Sequence, residues 1–125
     1  MIVVDSSLWI EFFMGTKNGE LIKQNTAFQQ GNFIVPTIIL REVHKKLTEL
    51  HDEQLANSYC SYLELGKVIN LDTFIAYESS RLSKLFKLPL ADSIIFATAI
   101  RNEATLYTMD KHFKELPNVI YYEKN

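Results

Sequence analysis

Apolar residues follow two patterns along the chain. Ile2, Val3 and Val4 form an uninterrupted β-branched run, and Phe33, Ile34 and Val35 form another just before Pro36. Continuous runs of this length predict strands covered on both faces, as in a parallel sheet. Further runs at 68–69, 105–108 and 119–122 predict three more strands. Between the strands, apolar positions recur at helical spacing. Trp9, Ile10, Phe12 and Phe13 follow the capping run Asp5-Ser6-Ser7 and predict a helix up to Gly15. Residues 16–19 read as a polar loop and 20–30 as one helix ended by Gly31. Ile39, Val43, Leu47 and Leu50 mark the buried stripe of a helix over 37–50. Helices over 52–65, 72–86 and 90–100 follow; Gly66 stops the first and Leu88-Pro89 opens the last. Residues 110–116 read as a turn or short helix.

Strands alternating with helices predict an α/β fold with a short, mostly parallel central sheet flanked by helices. At 125 residues the chain reads as a single domain, 1–125, able to bury a core without disulfides. Four glycines and three prolines leave little room for linkers. Cys60 is the only cysteine, which excludes an internal disulfide and a cysteine-based zinc cage. No apolar run reaches the ~18 residues of a membrane span, and Asp5 interrupts the N-terminal run at once. A cytoplasmic location fits these features. Net charge is −2, whereas nucleic-acid-binding modules usually carry a basic excess. A chain of this balance needs another source of positive charge to hold a polyanion.

Ligands of open α/β sheets bind beyond the carboxyl ends of the strands. Asp5 follows the first strand there, and Asp110 follows the 105–108 strand. Asp92 lies in the first turn of the apolar 90–100 helix, and Glu42 about a turn and a half into the helix after the second strand. Each has a simpler role open to it. Asp5 and Asp110 suit helix N-caps, Asp92 suits a helix dipole, and Glu42 can pair with Lys45 or Lys46. If all four meet, the cost changes the reading. Two unit charges ~5 Å apart at an effective dielectric of ~20 repel by about 3 kcal/mol. Several such pairs call for a bound cation or raised pKa values, and all-oxygen ligands suit Mg²⁺ or Mn²⁺.

The segments around three of these acids resemble the PIN-domain proteins of the VapC toxin type. They are Val3-Val4-Asp5-Ser6-Ser7-Leu8-Trp9-Ile10-Glu11, the stretch from Leu88-Pro89 through Asp92-Ser93 to Ala99, and the stretch from Ala104 through Thr108-Met109-Asp110 to Phe113. Thr37 to Glu42 fits the family's less distinctive glutamate motif. The resemblance spans residues 1 to about 116. It implies a Mg²⁺- or Mn²⁺-dependent endoribonuclease that hydrolyses RNA by metal-activated water, the toxin of a toxin–antitoxin pair. Asp5, Glu42, Asp92 and Asp110 take the catalytic and metal-binding positions, with Ser6 and Thr108 as accessory polar residues. An antitoxin protein and a homodimer mate are the implied partners. Many relatives carry a further Asp two residues after the Asp110 position; here it is His112.

Other readings make distinct demands. A non-catalytic PIN-like module would not need all four acids. A nuclease acting on DNA or structured substrates would need the same ones. A phospho-acceptor receiver domain would need paired acids after its first strand, where Asp5 stands without an acidic neighbour. Arg81, Lys84 and Lys87, and Arg41, Lys45 and Lys46, are candidate strand guides or plain solvated faces. Trp9, Phe12 and Phe13 read as core, or as a groove for a partner helix.

Overall fold

A computed structural model describes residues 1–124. Five strands form one sheet: β1 (Ile2–Val4), β2 (Phe33–Pro36), β3 (Lys67–Ile69), β4 (Thr105–Thr108) and β5 (Val119–Tyr121). Their order is β3-β2-β1-β4-β5. Every ladder is parallel, with Val3 opposite both Ile34 and Leu106. The fold is α/β, as the uninterrupted apolar runs predict. β1 is the central strand, and Val3 and Val4 are wholly buried. From β1 the chain proceeds outward to β2 and β3, then crosses back to build β4 and β5 on the other side. The strand order reverses between β1 and β4, which is where an open α/β sheet leaves a crevice.

Seven α-helices cover the sheet: α1 (Ser6–Met14), α2 (Lys17–Lys23), α3 (Thr26–Gln29), α4 (Thr37–Leu50), α5 (Glu53–Leu63), α6 (Thr73–Phe86) and α7 (Leu90–Arg101). A 3₁₀ turn at Lys111–Phe113 follows β4. α7 buries every residue from Ser93 to Ala99, which explains its nearly all-apolar sequence. Cys60 is a buried apolar residue. Trp9 is fully buried, with Phe12, Phe13, Phe28, Phe33 and Tyr62 rings around it. It is core and presents nothing to a partner groove; Phe12 and Phe13 are half-buried. Among the described residues, no helix is long and apolar enough to cross a membrane.

One stretch departs from the pattern-based expectation. Residues 16–19 are not a loop, and 20–30 is not one helix. The Thr16 hydroxyl accepts from the Gly19 N–H at 3.2 Å and starts α2 early, while Asn25 accepts from the Phe28 N–H at 3.0 Å and starts α3. Side-chain caps beat helix continuity here, since each satisfies a backbone donor that a longer helix would have satisfied itself. Gly19 reads in sequence as loop punctuation but is a helix–helix contact. A Cβ there would lie 2.2 Å from the Glu11 carbonyl oxygen.

Gly19→Ala should therefore destabilise the chain by about 1–3 kcal/mol through overpacking against backbone. Helix propensity alone gives the opposite sign, a gain of about 1 kcal/mol. Urea unfolding midpoints of the two proteins decide between them. A midpoint at or above that of the parent would show that α1 and α2 do not meet at Gly19.

Candidate active site

Asp5 leaves β1 and starts α1. Its backbone N–H donates to the Tyr107 carbonyl at 2.9 Å, continuing the β1–β4 ladder one residue beyond the strand. The chain then turns, and Asp5 Oδ1 accepts from the Ser6 N–H at 2.9 Å. The capping role and the clustered-acid role are thus filled by the same side chain. Its second oxygen, Oδ2, accepts from the Thr108 hydroxyl at 2.7 Å. Thr108 is wholly buried at the end of β4, and its Oγ1 in turn accepts from the Asp110 N–H at 2.9 Å. One hydroxyl therefore joins the ends of the two strands that flank the crevice.

Asp110 directs Oδ1 to the His112 N–H at 2.9 Å, capping the 3₁₀ turn. Asp92 is the third residue of α7, and Glu42 the sixth of α4. All four carboxylates line one cleft of about 510 Å³, with Ser6, Lys111 and Lys124 also in its wall. Lys45, a candidate partner for Glu42, pairs instead with Glu49 at 2.9 Å. His112 stands at the rim with its Nδ1 2.9 Å from Asp92 Oδ2 and 3.2 Å from Asp110 Oδ1. Among the described residues, Asp92, Asp110 and His112 form the group offering three ligand atoms within 4.8 Å of one another. Asp5 and Glu42 share the cleft outside that trio. Of the basic candidates, Lys45 pairs on α4, Arg81 pairs with Glu78 and Lys84 borders a different depression, while Arg41 acts on Glu42 by its charge. The lysines at the cleft are Lys111 and Lys124, which no sequence pattern singles out.

The electrostatics are those of a site short of positive charge. Burial pushes the Asp5 carboxyl up to about 7; the Thr108 hydroxyl and Ser6 N–H oppose this, and Glu42 and Asp92 reinforce it. Glu42 is raised, first by burial and then by Asp92 and Asp110, against the Ser6 hydroxyl and Arg41. Asp92 is raised by burial and by the neighbouring Asp110, with His112 opposing. Three clustered acids are thus raised together, first by desolvation and then by one another's charge. A divalent cation would relieve it, and oxygen donors with one imidazole form a fitting ligand set.

The sequence profile of the PIN domain matches residues 2–119. The chain belongs to the PIN domain family. PIN domains are nucleases that use divalent metals. Two solved structures are similar over the full domain. One is a toxin–antitoxin complex from Klebsiella pneumoniae, 27% identical with a TM-score of 0.83, covering 99% of this chain and 100% of that one. The other is VapBC2 from Rickettsia felis bound to a DNA fragment from its promoter, 20% identical with a TM-score of 0.69, covering 98% of each chain. The second shares the fold at that identity. No curated protein matches the sequence. In this PIN domain the cleft lined by Asp5, Glu42, Asp92 and Asp110 lies at the strand-order reversal between β1 and β4.

Asp5 gives a pH test. Its carboxyl ionises near 3.8 when exposed and near 7 in the metal-free fold. Between those values the folded chain holds the extra proton, so this group's contribution to stability falls as pH rises through the window. Metal-free Asp5→Asn should therefore gain on the parent in melting temperature between pH 4 and 8. The gain should be about 3–6 °C for each kcal/mol released, and added divalent metal should shrink it. Melting curves at both ends of the window check this. A difference that does not change with pH would show that Asp5 ionises normally.

Proposed function

We propose that this PIN domain is a VapC-type toxin, an endoribonuclease that hydrolyses RNA phosphodiester bonds with Mg²⁺ or Mn²⁺. The observation that carries the reading is the meeting of Asp5, Glu42, Asp92 and Asp110 in one cleft at the strand-order reversal. The full-length likeness to a chain from a toxin–antitoxin complex supports the toxin assignment. An antitoxin is then the expected partner, a second copy the expected mate, and the cytoplasm the expected location.

Asp92 and Asp110 would hold the metal from the rim, and Asp5 from the cleft floor, pinned by Thr108. Bound there, a divalent ion acidifies water and polarises a phosphoryl oxygen. Glu42, half-buried and raised, accepts a proton from the attacking water or orients it. Lys111 and Lys124 draw the phosphate backbone to the cleft despite the chain's net charge of −2. Attack by outside water leaves 5′-phosphate and 3′-hydroxyl ends. A two-histidine route through the 2′-oxygen lacks its parts. His44 bonds Asn57 on α5, and His51 ends α4, roughly 13 Å beyond Glu42 along the helix. The chemistry itself does not require a 2′-hydroxyl, so the preference for RNA rests on the likeness to VapC-type proteins.

Purified protein should cut RNA when Mn²⁺ or Mg²⁺ is present and stop in EDTA. Asp5→Asn and Asp92→Asn should each slow cleavage by about 10²–10³-fold, the usual cost of losing transition-state electrostatics. Matched DNA run alongside should be spared. Cleavage that survives EDTA and leaves cyclic phosphate ends would overturn the mechanism; equal cutting of DNA would overturn the substrate.

A further inference from the structure

Besides the four acids, the cleft's rim carries one imidazole. His112 is held by its own backbone, because its N–H donates to Asp110 Oδ1 within the 3₁₀ turn. Phe113, wholly buried, anchors that turn to the core. The side chain is 57% exposed, yet its Nδ1 faces inward, to Asp92 and Asp110. The backbone bond and the buried neighbour place this nitrogen without help from a ligand.

Two of the three separations among the donors suit neighbouring ligands on one ion. Cis ligands on an octahedral ion with bonds of about 2.1 Å lie about 3.0 Å apart. The two nitrogen–oxygen separations, 2.9 and 3.2 Å, bracket that value. The ion that suits such a set differs from the one that suits four carboxylates. Mg²⁺ takes oxygen and sheds its water reluctantly. First-row transition ions accept imidazole readily while keeping carboxylate ligands.

We propose that His112 Nδ1 is a direct metal ligand, so that Asp92, Asp110 and His112 select a first-row transition ion such as Mn²⁺ over Mg²⁺. The inference rests on the metal-dependent reading above and makes it more specific. On coordination Nδ1 gives its lone pair to the ion and any proton it carries to solvent. Asp5 and Glu42, in the same cleft but outside the trio, keep the places given them above, at the cleft floor and beside the attacking water. Where many relatives carry a further Asp, this chain offers a nitrogen donor, and the ligand set becomes a mixed nitrogen–oxygen one.

The test uses the full chain, freed of metal and titrated with Mn²⁺, read by electron spin resonance. Bound Mn²⁺ should show electron spin-echo modulation from a directly coordinated ¹⁴N. His112→Ala should abolish that modulation and weaken Mn²⁺ binding by about tenfold or more, while Mg²⁺ binding changes less. His112→Asp should restore binding and shift it toward Mg²⁺. Circular dichroism verifies that both variants are folded, and the ¹⁴N signal of the parent protein decides the matter even if one is not. Mn²⁺ bound without ¹⁴N coupling, or equal losses for both ions in His112→Ala, would overturn the proposal and leave the nuclease reading intact. No binding of either ion would sink both. Mn²⁺ with ¹⁴N coupling but no cleavage of RNA would uphold the ligand and remove the proposed activity.

Discussion

The hydrogen bond from the Thr108 hydroxyl to the Asp5 carboxylate, 2.7 Å long and wholly enclosed, is the contact on which the rest turns. It lies where the strand order reverses, at the ends of β1 and β4. There the parallel ladder has to stop, because α1 and the 3₁₀ turn depart from it in different directions. Without a tie the two chain ends would splay, and their backbone donors would face a cleft instead of a ladder. Thr108 closes that gap by donating to Asp5 and accepting from the Asp110 N–H. Two of the four acids are thereby fixed to the rigid middle of the sheet, one by its carboxylate and one by its backbone.

That arrangement sets a tension between stability and chemistry. Asp5 uses both carboxylate oxygens as acceptors, one for the cap and one for the tie, and an amide could accept only one of the two bonds. Its acidity makes the metal-free chain carry a buried carboxylate pushed up to about 7. Burial is the source of this cost, and the neighbouring Thr108 hydroxyl and Ser6 N–H, both pointed at the charge, offset part of it. A site held this way needs no ordering when a cation arrives, since the flanking elements are already locked. The strain is released by the ligand rather than built up by it.

Sequence reasoning reaches the parts of this arrangement that depend on local order. Asp5 and Asp110 are legible because each stands at or just past the end of a strand-like run, and strand ends are where a parallel sheet places its site. Asp92 was legible as a lone acid in an otherwise apolar helix. Glu42 showed no such contrast, since a helix acid with lysines three and four residues on is indistinguishable from a surface pair until Lys45 is seen bonded to Glu49. The split of residues 16–30 was missed because Thr16 and Asn25 act as caps only once tertiary packing fixes where α2 meets α1. Lys124 was invisible for a different reason. It reaches the cleft only because β5 runs parallel beside β4 and the Tyr122 N–H bonds the Thr108 carbonyl, returning the chain's end to the active face. That relation belongs to the topology and leaves no local mark.

The same return of the chain resolves the apparent mismatch between an acidic protein and a polyanionic substrate. Net charge describes long-range attraction, and at physiological salt its reach is about 8 Å. Binding at the cleft depends on what stands within that distance. There Lys111 and Lys124 face four carboxylates in a concave, partly desolvated wall. Without a cation the field at the centre favours protons over phosphate, as the raised Asp5, Glu42 and Asp92 record. A divalent ion seated on Asp92 and Asp110 would offset two of the four carboxylate charges, and the rim lysines stand against the other two. Affinity for a phosphodiester and competence to hydrolyse it would then depend on the same ion, which a basic surface could not supply.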